Sequence, residues 1–273
     1  MIIQDQRQSQ ELRNEYYADS LLNKPFSIVI PAYNEEKRIG KVLDEISTFI
    51  SINNLPWEVV IAVDGNDRTE EIIDSYRNTY AFIHSNKSSG RSGMGGAIKR
   101  GILTSAGEFI ILMDGDGSTS LEEIAKKIEL LNDYDIVNFN RYSSSENEIP
   151  FKRRFASRGF NFLLKAIFRV NVSDTQCGYK LMKRSSIEPI IKSITVSNAF
   201  FLSALFIYAK RFGVTVKEVS IKYNHSDGSK FNVVMTSISY MISISAFKIR
   251  NSRLYVFVPN FIKDIYYRKF RYL

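Results

Sequence analysis

Five apolar residues, Phe109-Ile110-Ile111-Leu112-Met113, run directly into Asp114-Gly115-Asp116-Gly117. An unbroken apolar run of this length predicts a strand buried on both faces, as in a parallel sheet. Open α/β sheets bind ligands beyond the carboxyl ends of their strands, where this run delivers two carboxylates. Paired carboxylates that leave most of a coordination sphere open suit Mg²⁺ or Mn²⁺ shared with substrate phosphates. Asp-Gly-Asp-Gly alone is equally the composition of a polar turn.

Two earlier stretches repeat the pattern. Phe26-Ser27-Ile28-Val29-Ile30 is closed by Pro31-Ala32-Tyr33-Asn34-Glu35-Glu36. Asn34 is expected to N-cap the helix that follows, with the glutamates in its first turn. Ile39, Val42, Leu43, Ile46, Phe49 and Ile50 then recur at helical spacing. Val59 to Val63 leads into Asp64-Gly65-Asn66-Asp67-Arg68-Thr69 and a helical pattern from Glu70 to Tyr76. Strands ending in polar loops and followed by helices predict an α/β fold with a mostly parallel sheet.

Hydrophobic content of 44% and charged content of 24% are those of a globular protein, and 273 residues suffice for one large α/β domain with an appendage. The single cysteine, Cys177, excludes an internal disulfide and is expected to be packing. Residues 1–24 are polar, with no apolar segment of a signal peptide, and predict a loosely held leader. Val233 to Phe247 is too short and too serine-rich to span a bilayer. The chain is therefore expected to be cytoplasmic, or peripheral on a membrane.

Net charge is +8, and residues 248–273 hold seven Lys or Arg against one acid, Asp264. Tyr255, Phe257, Phe261, Tyr266, Tyr267, Phe270 and Tyr272 are interleaved with them. This composition suits an anionic membrane surface, or single-stranded nucleic acid, or a terminal helix packed on the domain. The expected organisation is a leader over 1–24, a domain over 25–230 and a basic, helical C-terminal segment over 231–273. Within the domain the sequence divides into halves over 25–140 and 141–230. Ser143 to Glu148 reads as a surface turn or lid, and Phe151 to Arg169 as a helix rich in Lys and Arg. Gly90-Arg91-Ser92-Gly93-Met94-Gly95-Gly96 reads as a backbone-exposing loop before a helix from Ala97 to Ser105, able to approach a phosphate. It lacks the Lys-Ser/Thr pair of a Walker motif.

The run 28–36, the Asp64 loop and Asp114-Gly115-Asp116 together resemble the family-two glycosyltransferases of GT-A, Rossmann-like fold. Asp174-Thr175-Gln176-Cys177-Gly178-Tyr179-Lys180 and Gly228-Ser229-Lys230 are similar to the branch that makes dolichyl-phosphate mannose or glucose. The resemblance implies a metal-dependent, inverting transfer of a hexose from GDP-mannose or UDP-glucose to a polyprenyl phosphate at the cytosolic membrane face. It implies Asp114 and Asp116 as Mg²⁺ or Mn²⁺ ligands. Around the nucleotide sugar it implies Pro31, Tyr33, Glu35, Asp64, Gly93, Gly95, Asp114 and Gln176. It assigns Arg141, Arg153, Ser157 and Lys230 to the acceptor and donor phosphates, Arg141 counting as catalytic. Asp174-Thr175-Gln176 would frame the sugar, although Asp174 also reads as a cap. A small membrane partner protein is compatible with the resemblance, and the upstream motifs favour a membrane over nucleic acid for the tail.

Two positions depart from the family pattern. Met94 stands where a lysine is common, and Leu202-Ser203-Ala204 stands where one or two acids are common. A hydroxyl acceptor needs a base there, whereas an ionised phosphate acceptor does not. The same losses fit a catalytically impaired nucleotide-sugar-binding relative, and an acceptor such as another lipid-linked saccharide or a polysaccharide is the remaining enzymatic alternative.

Overall fold

In a computed structural model the described residues are 20–144, 147, 149–224, 233–252 and 257–261. Among these residues seven strands form one sheet in the order β3-β2-β1-β4-β6-β5-β7. They are β1 (Phe26–Tyr33), β2 (Glu58–Asp64), β3 (Ile83–Lys87), β4 (Phe109–Leu112), β5 (Ile136–Asn140), β6 (Lys180–Lys183) and β7 (Val216–Ser220). All pairings are parallel except those of β6, which runs antiparallel to both β4 and β5. The expected mostly parallel α/β sheet is thus present.

The unbroken apolar runs are explained by burial on both faces. Ile28, Ile30 and Ile111 join one core cluster, and Val29, Ile110 and Leu112 join the other, as the two-residue strand period requires. Helix α1 (Ile39–Ile52) lays Ile39, Val42, Leu43, Ile46 and Ile50 on the first cluster. The second is covered by α3 (Met94–Thr104), α6 (Arg184–Ser193) and α7 (Phe201–Arg211). Helices α2 (Thr69–Arg77), α4 (Leu121–Ala125), α5 (Phe151–Phe168) and α8 (Val233–Arg250) complete the layers. Along the chain the sheet grows from β1 through β2 to β3, then reverses to place β4 on the other side of β1. The crevice at that reversal lies between the ends of β1 and β4, where Tyr33 and Asp114 leave the sheet.

Some local expectations are corrected. Asn34 does not cap a helix: it has a positive φ of 57°, and α1 begins only at Ile39. Its side-chain oxygen instead accepts from the Asn66 amide at 3.1 Å and so ties the loop after β1 to the loop after β2. Helix α3 starts at Met94, three residues before the expected Ala97, with Gly93 at φ 76° as its cap. Of the leader, Leu21–Asn23 form a 3₁₀ turn held by Glu129 and by the Trp57 indole, which donates to the Leu22 carbonyl at 2.9 Å. Residues 1–19 lie outside the described residues, as do Gly228, Ser229, Lys230 and most of the basic tail. Helix α8 rests on α5 through Phe160–Tyr240 and Phe168–Phe247, with ring centroids 4.5 and 5.8 Å apart. Among the described residues no helix is long and apolar enough to cross a membrane.

Candidate active site

The carboxylates of the Asp114-Gly115-Asp116 loop are fixed from several sides. Asp116 accepts from the Ser118 amide at 3.0 Å and from the Tyr179 hydroxyl at 3.3 Å. Gly178 passes so close beneath Asp114 that a Cβ there would lie 2.1 Å from both carboxylate oxygens. Burial, reinforced by the charge on Asp116, pushes Asp114 up to about 6. A buried carboxylate whose ionisation is opposed in this way, with a second carboxylate beside it, is suited to a divalent cation. Among the described residues no cluster of three or more His, Cys, Asp or Glu could hold a metal. Gly178→Ala is accordingly expected to displace Asp114 and reduce transfer at least about tenfold while leaving the secondary structure intact, measurable as turnover beside circular dichroism.

Around this pair lies a buried ionic layer. Arg141, directly after β5, forms a two-pronged pair with Asp174 at 2.8 and 2.8 Å, and its backbone amide donates to the same carboxylate at 3.1 Å. Burial pulls the guanidinium down, but Asp174 more than offsets this and holds Arg141 well above its ordinary range. Asp174 thus gives its carboxylate to the Arg141 guanidinium and backbone amide. The pair presents Arg141 rigidly between the Tyr142 and Tyr223 rings, each 5.6 Å away. Lys180 is fully buried, donates to the Cys177 carbonyl and lies over the Phe206 ring at 5.2 Å; burial pushes it down to about 8. Cys177 is buried and pushed up to about 12 by that burial, consistent with packing rather than nucleophilic chemistry.

Residues 173–176 are held by four elements. Glu218 on β7 accepts from the Ser173 and Asp174 amides at 3.0 Å each, and from Asn138 at 3.1 Å. Asn161 on α5 accepts from the Thr175 amide and hydroxyl. Gln176 donates to Ser203 on α7 at 2.6 Å and accepts from the Tyr240 hydroxyl on α8 at 2.9 Å, so both ends of its amide are fixed. Leu202 and Ala204 are fully buried in the apolar core, which explains why this turn of α7 has no carboxylate.

On the donor side, Pro31 lies within β1 opposite Ala62, and Tyr33 is 48% exposed beneath Arg91, whose guanidinium carbon stands 4.7 Å from the ring centroid. Glu35 is raised by burial and paired with Arg38 at 2.7 Å. Asp64 is buried, and its oxygens accept from the Ser92 amide at 2.7 Å, the Ser92 hydroxyl and Arg100 at 2.9 Å, so it ties down the glycine-rich loop. Gly95 is likewise a packing residue: a Cβ there would lie 2.4 Å from Phe201 and 2.7 Å from the Asn198 carbonyl. Met94 packs on the apolar cluster beneath α7, the physical counterpart of its replacing a cation. Arg153 and Ser157 are half-buried on α5, where Ser157 is bonded to Asn161. Arg91, Ser92, Arg100, Gly178, Tyr179 and Glu218 are the site residues that sequence reasoning did not assign.

The family model for glycosyl transferase family 2 matches residues 27–191. The chain belongs to this family. A dolichyl-phosphate beta-glucosyltransferase of Trichomonas vaginalis is 29% identical to this glycosyltransferase over 83% of the chain and 76% of its own length. The enzymes of that name from Dictyostelium discoideum and Homo sapiens are each 29% identical, covering 82% and 76% of the chain and 74% and 69% of their own lengths. Among solved structures, mannosyl-3-phosphoglycerate synthase from Rubrobacter xylanophilus superposes with a TM-score of 0.61 at 14% identity, covering 88% of this chain and 77% of that one. Glucosyl-3-phosphoglycerate synthase from Mycobacterium tuberculosis, solved with Mn²⁺ and UDP-glucose, gives 0.58 at 16%, covering 84% and 82%. These likenesses establish the GT-A glycosyltransferase fold.

Proposed function

We propose that this glycosyltransferase moves glucose from UDP-glucose to a dolichyl or related polyprenyl phosphate, in a single inverting displacement at the cytosolic face of a membrane. The observation that carries the reading is Asp114 and Asp116 at the reversal of the sheet, on a chain whose relatives bear the name dolichyl-phosphate beta-glucosyltransferase. The same names favour UDP-glucose over GDP-mannose. Mg²⁺ or Mn²⁺ held by Asp114 and Asp116 would neutralise the departing diphosphate.

The chain's own residues do the rest. Tyr33 offers an exposed ring to the base, with Arg91 above it. Pro31, Glu35 and Gly93 shape the neighbouring wall, and Gln176, fixed at both ends, faces the sugar. Arg141, Arg153, Ser157 and Lys230 serve the phosphates, Arg141 with its direction set by Asp174. An acceptor phosphate attacks already ionised, so binding and charge screening suffice without a base, in keeping with the apolar Leu202 and Ala204.

The test incubates the protein with Mn²⁺ or Mg²⁺, labelled UDP-glucose or GDP-mannose, and a short-chain polyprenyl phosphate. Labelled lipid from UDP-glucose alone is the expected result, and its loss in Asp116→Ala would assign the metal role. Label on a hydroxyl-bearing acceptor instead would overturn the phosphate acceptor. Donor binding without turnover on any acceptor would overturn the enzymatic reading in favour of a nucleotide-sugar-binding protein.

A further inference from the structure

Helix α5 has two opposite faces, and among the described residues one is packed and the other is exposed. Phe160, Asn161 and Leu164 are buried against α7, α8 and the 174–176 loop. On the other side Phe151, Phe155 and Phe162 are 79%, 71% and 69% exposed. At 3.6 residues per turn these three fall within an arc of about 40°, one stripe along the helix. Phe151 and Phe155 stack on each other with centroids 6.4 Å apart. Three large aromatics aligned on a surface helix are not the scattered apolar residues that a soluble surface normally shows.

The charge around the stripe identifies what it meets. Lys152, Arg158, Lys165 and Arg169 are exposed, Arg153 and Arg154 add two further cations, and no Asp or Glu occurs from residue 149 to 173. Phenyl rings at headgroup depth, flanked by long cationic side chains whose stems run along the apolar layer, match an anionic lipid surface. The chain's own basic tail is a poor cover, since residues 248–273 carry seven cations and would face six more. A protein partner would have to be both acidic and strongly apolar, properties an anionic bilayer combines over any area.

We infer that the outer face of α5 is a membrane-docking surface, which seats the catalytic domain on anionic lipid through Phe151, Phe155 and Phe162. Its link to the acceptor rests on the polyprenyl-phosphate reading above; the docking itself does not. Arg153 and Ser157 lie on the half-buried side of the same helix, and a helix with its side chains is about 10 Å across. A phosphate reaching them would remain within that distance of the bilayer holding its hydrocarbon tail. This surface belongs to the catalytic domain, separate from any anchorage by the C-terminal segment.

The experiment uses the full chain with phosphatidylcholine vesicles, with and without phosphatidylserine. Wild-type protein is expected to sediment with the anionic vesicles. Phe151→Ser/Phe155→Ser/Phe162→Ser and, separately, Arg158→Glu/Lys165→Glu should each weaken this at least about tenfold without lowering Tm, because the replaced side chains are exposed. With a long-chain acceptor in vesicles KM should rise, while kcat and the KM for a short-chain acceptor in water stay unchanged. Phe155→Trp adds a direct reading, because Trp57 is the only other tryptophan and is buried. Its emission should shift to the blue only on adding anionic vesicles. Folded variants that bind as wild type does, or emission already blue without lipid because the chain covers its own helix, would overturn the proposal. Vesicle binding needs no turnover, so a failed glucosyltransferase assay leaves it standing or falling by itself.

Discussion

Asp114→Asn is expected to lose more than about a thousandfold in transfer rate and yet to melt above the parent protein at neutral pH. The reason is the environment that lifts the carboxyl from 3.8 to about 6: burial first, then the charge of Asp116. An unfolded chain ionises this residue near 3.8, whereas the folded chain resists doing so until about 6. The ionised form therefore weakens the fold fully above about pH 6, and that cost disappears below about 3.8. Asparagine keeps the shape and removes the charge, for a gain on the order of 1–3 kcal/mol at pH 7.5 that vanishes near pH 4. Melting curves of both proteins at the two pH values, without divalent cation, check this. Lower stability of the variant at both would mean that Arg141 and Lys180 outweigh burial and Asp116. Mn²⁺ at about a hundred times its Kd should then stabilise the parent by about 2.7 kcal/mol and the variant far less.

The second large effect is expected at the Arg141–Asp174 pair. Asp174→Ala leaves a guanidinium that is 8% exposed without its carboxylate, and loss of one partner of a buried pair costs about 3–5 kcal/mol. The double replacement Arg141→Met/Asp174→Leu removes both charges and should recover most of that stability, since a buried pair adds little over well-packed apolar groups. Neither protein should transfer sugar: the first has a displaced arginine and the second has none. Urea unfolding and the donor assay, run on the same preparations, separate the two effects. A cost below about 1 kcal/mol for Asp174→Ala would show that Glu218 and Asn161 alone hold the 174–176 loop.

The N-terminal half of the fold is readable because its strands are buried on both faces and therefore appear as unbroken apolar runs: β1, β2 and β4. The edge strands gave no such signal. Ile-His-Ser-Asn-Lys in β3 and Val-Lys-Glu-Val-Ser in β7 face solvent for much of their length, so their sequences resemble loops. In β5 the polar Asn138 and Asn140 are buried, because Asn138 bonds to the Asp174 carbonyl and Glu218. The carboxylates of the third loop were legible for the same reason as their strand. The tasks of Asp64 and Gly95 were not, because Arg100 and Phe201 approach them only after folding. A sequence displays which groups a chain owns but not which of them are already satisfied by one another.

The reversed direction of β6 has a consequence for how this architecture can diversify. Because β6 is antiparallel to β5, the chain leaves the sheet after Asn140 and re-enters at Lys180 on the same edge, with Asn138 opposite Lys180. Everything between, α5 and the 174–176 loop included, is a closed excursion from one side of the sheet. Such an insert can be lengthened, shortened or exchanged without moving a single strand register, provided its last residues, Gly178 and Tyr179, keep their places against Asp114 and Asp116. Variation between Asn140 and Lys180 is thereby uncoupled from the order and pairing of the strands, and coupled to the Asp114-Gly115-Asp116 loop only through the excursion's last two residues.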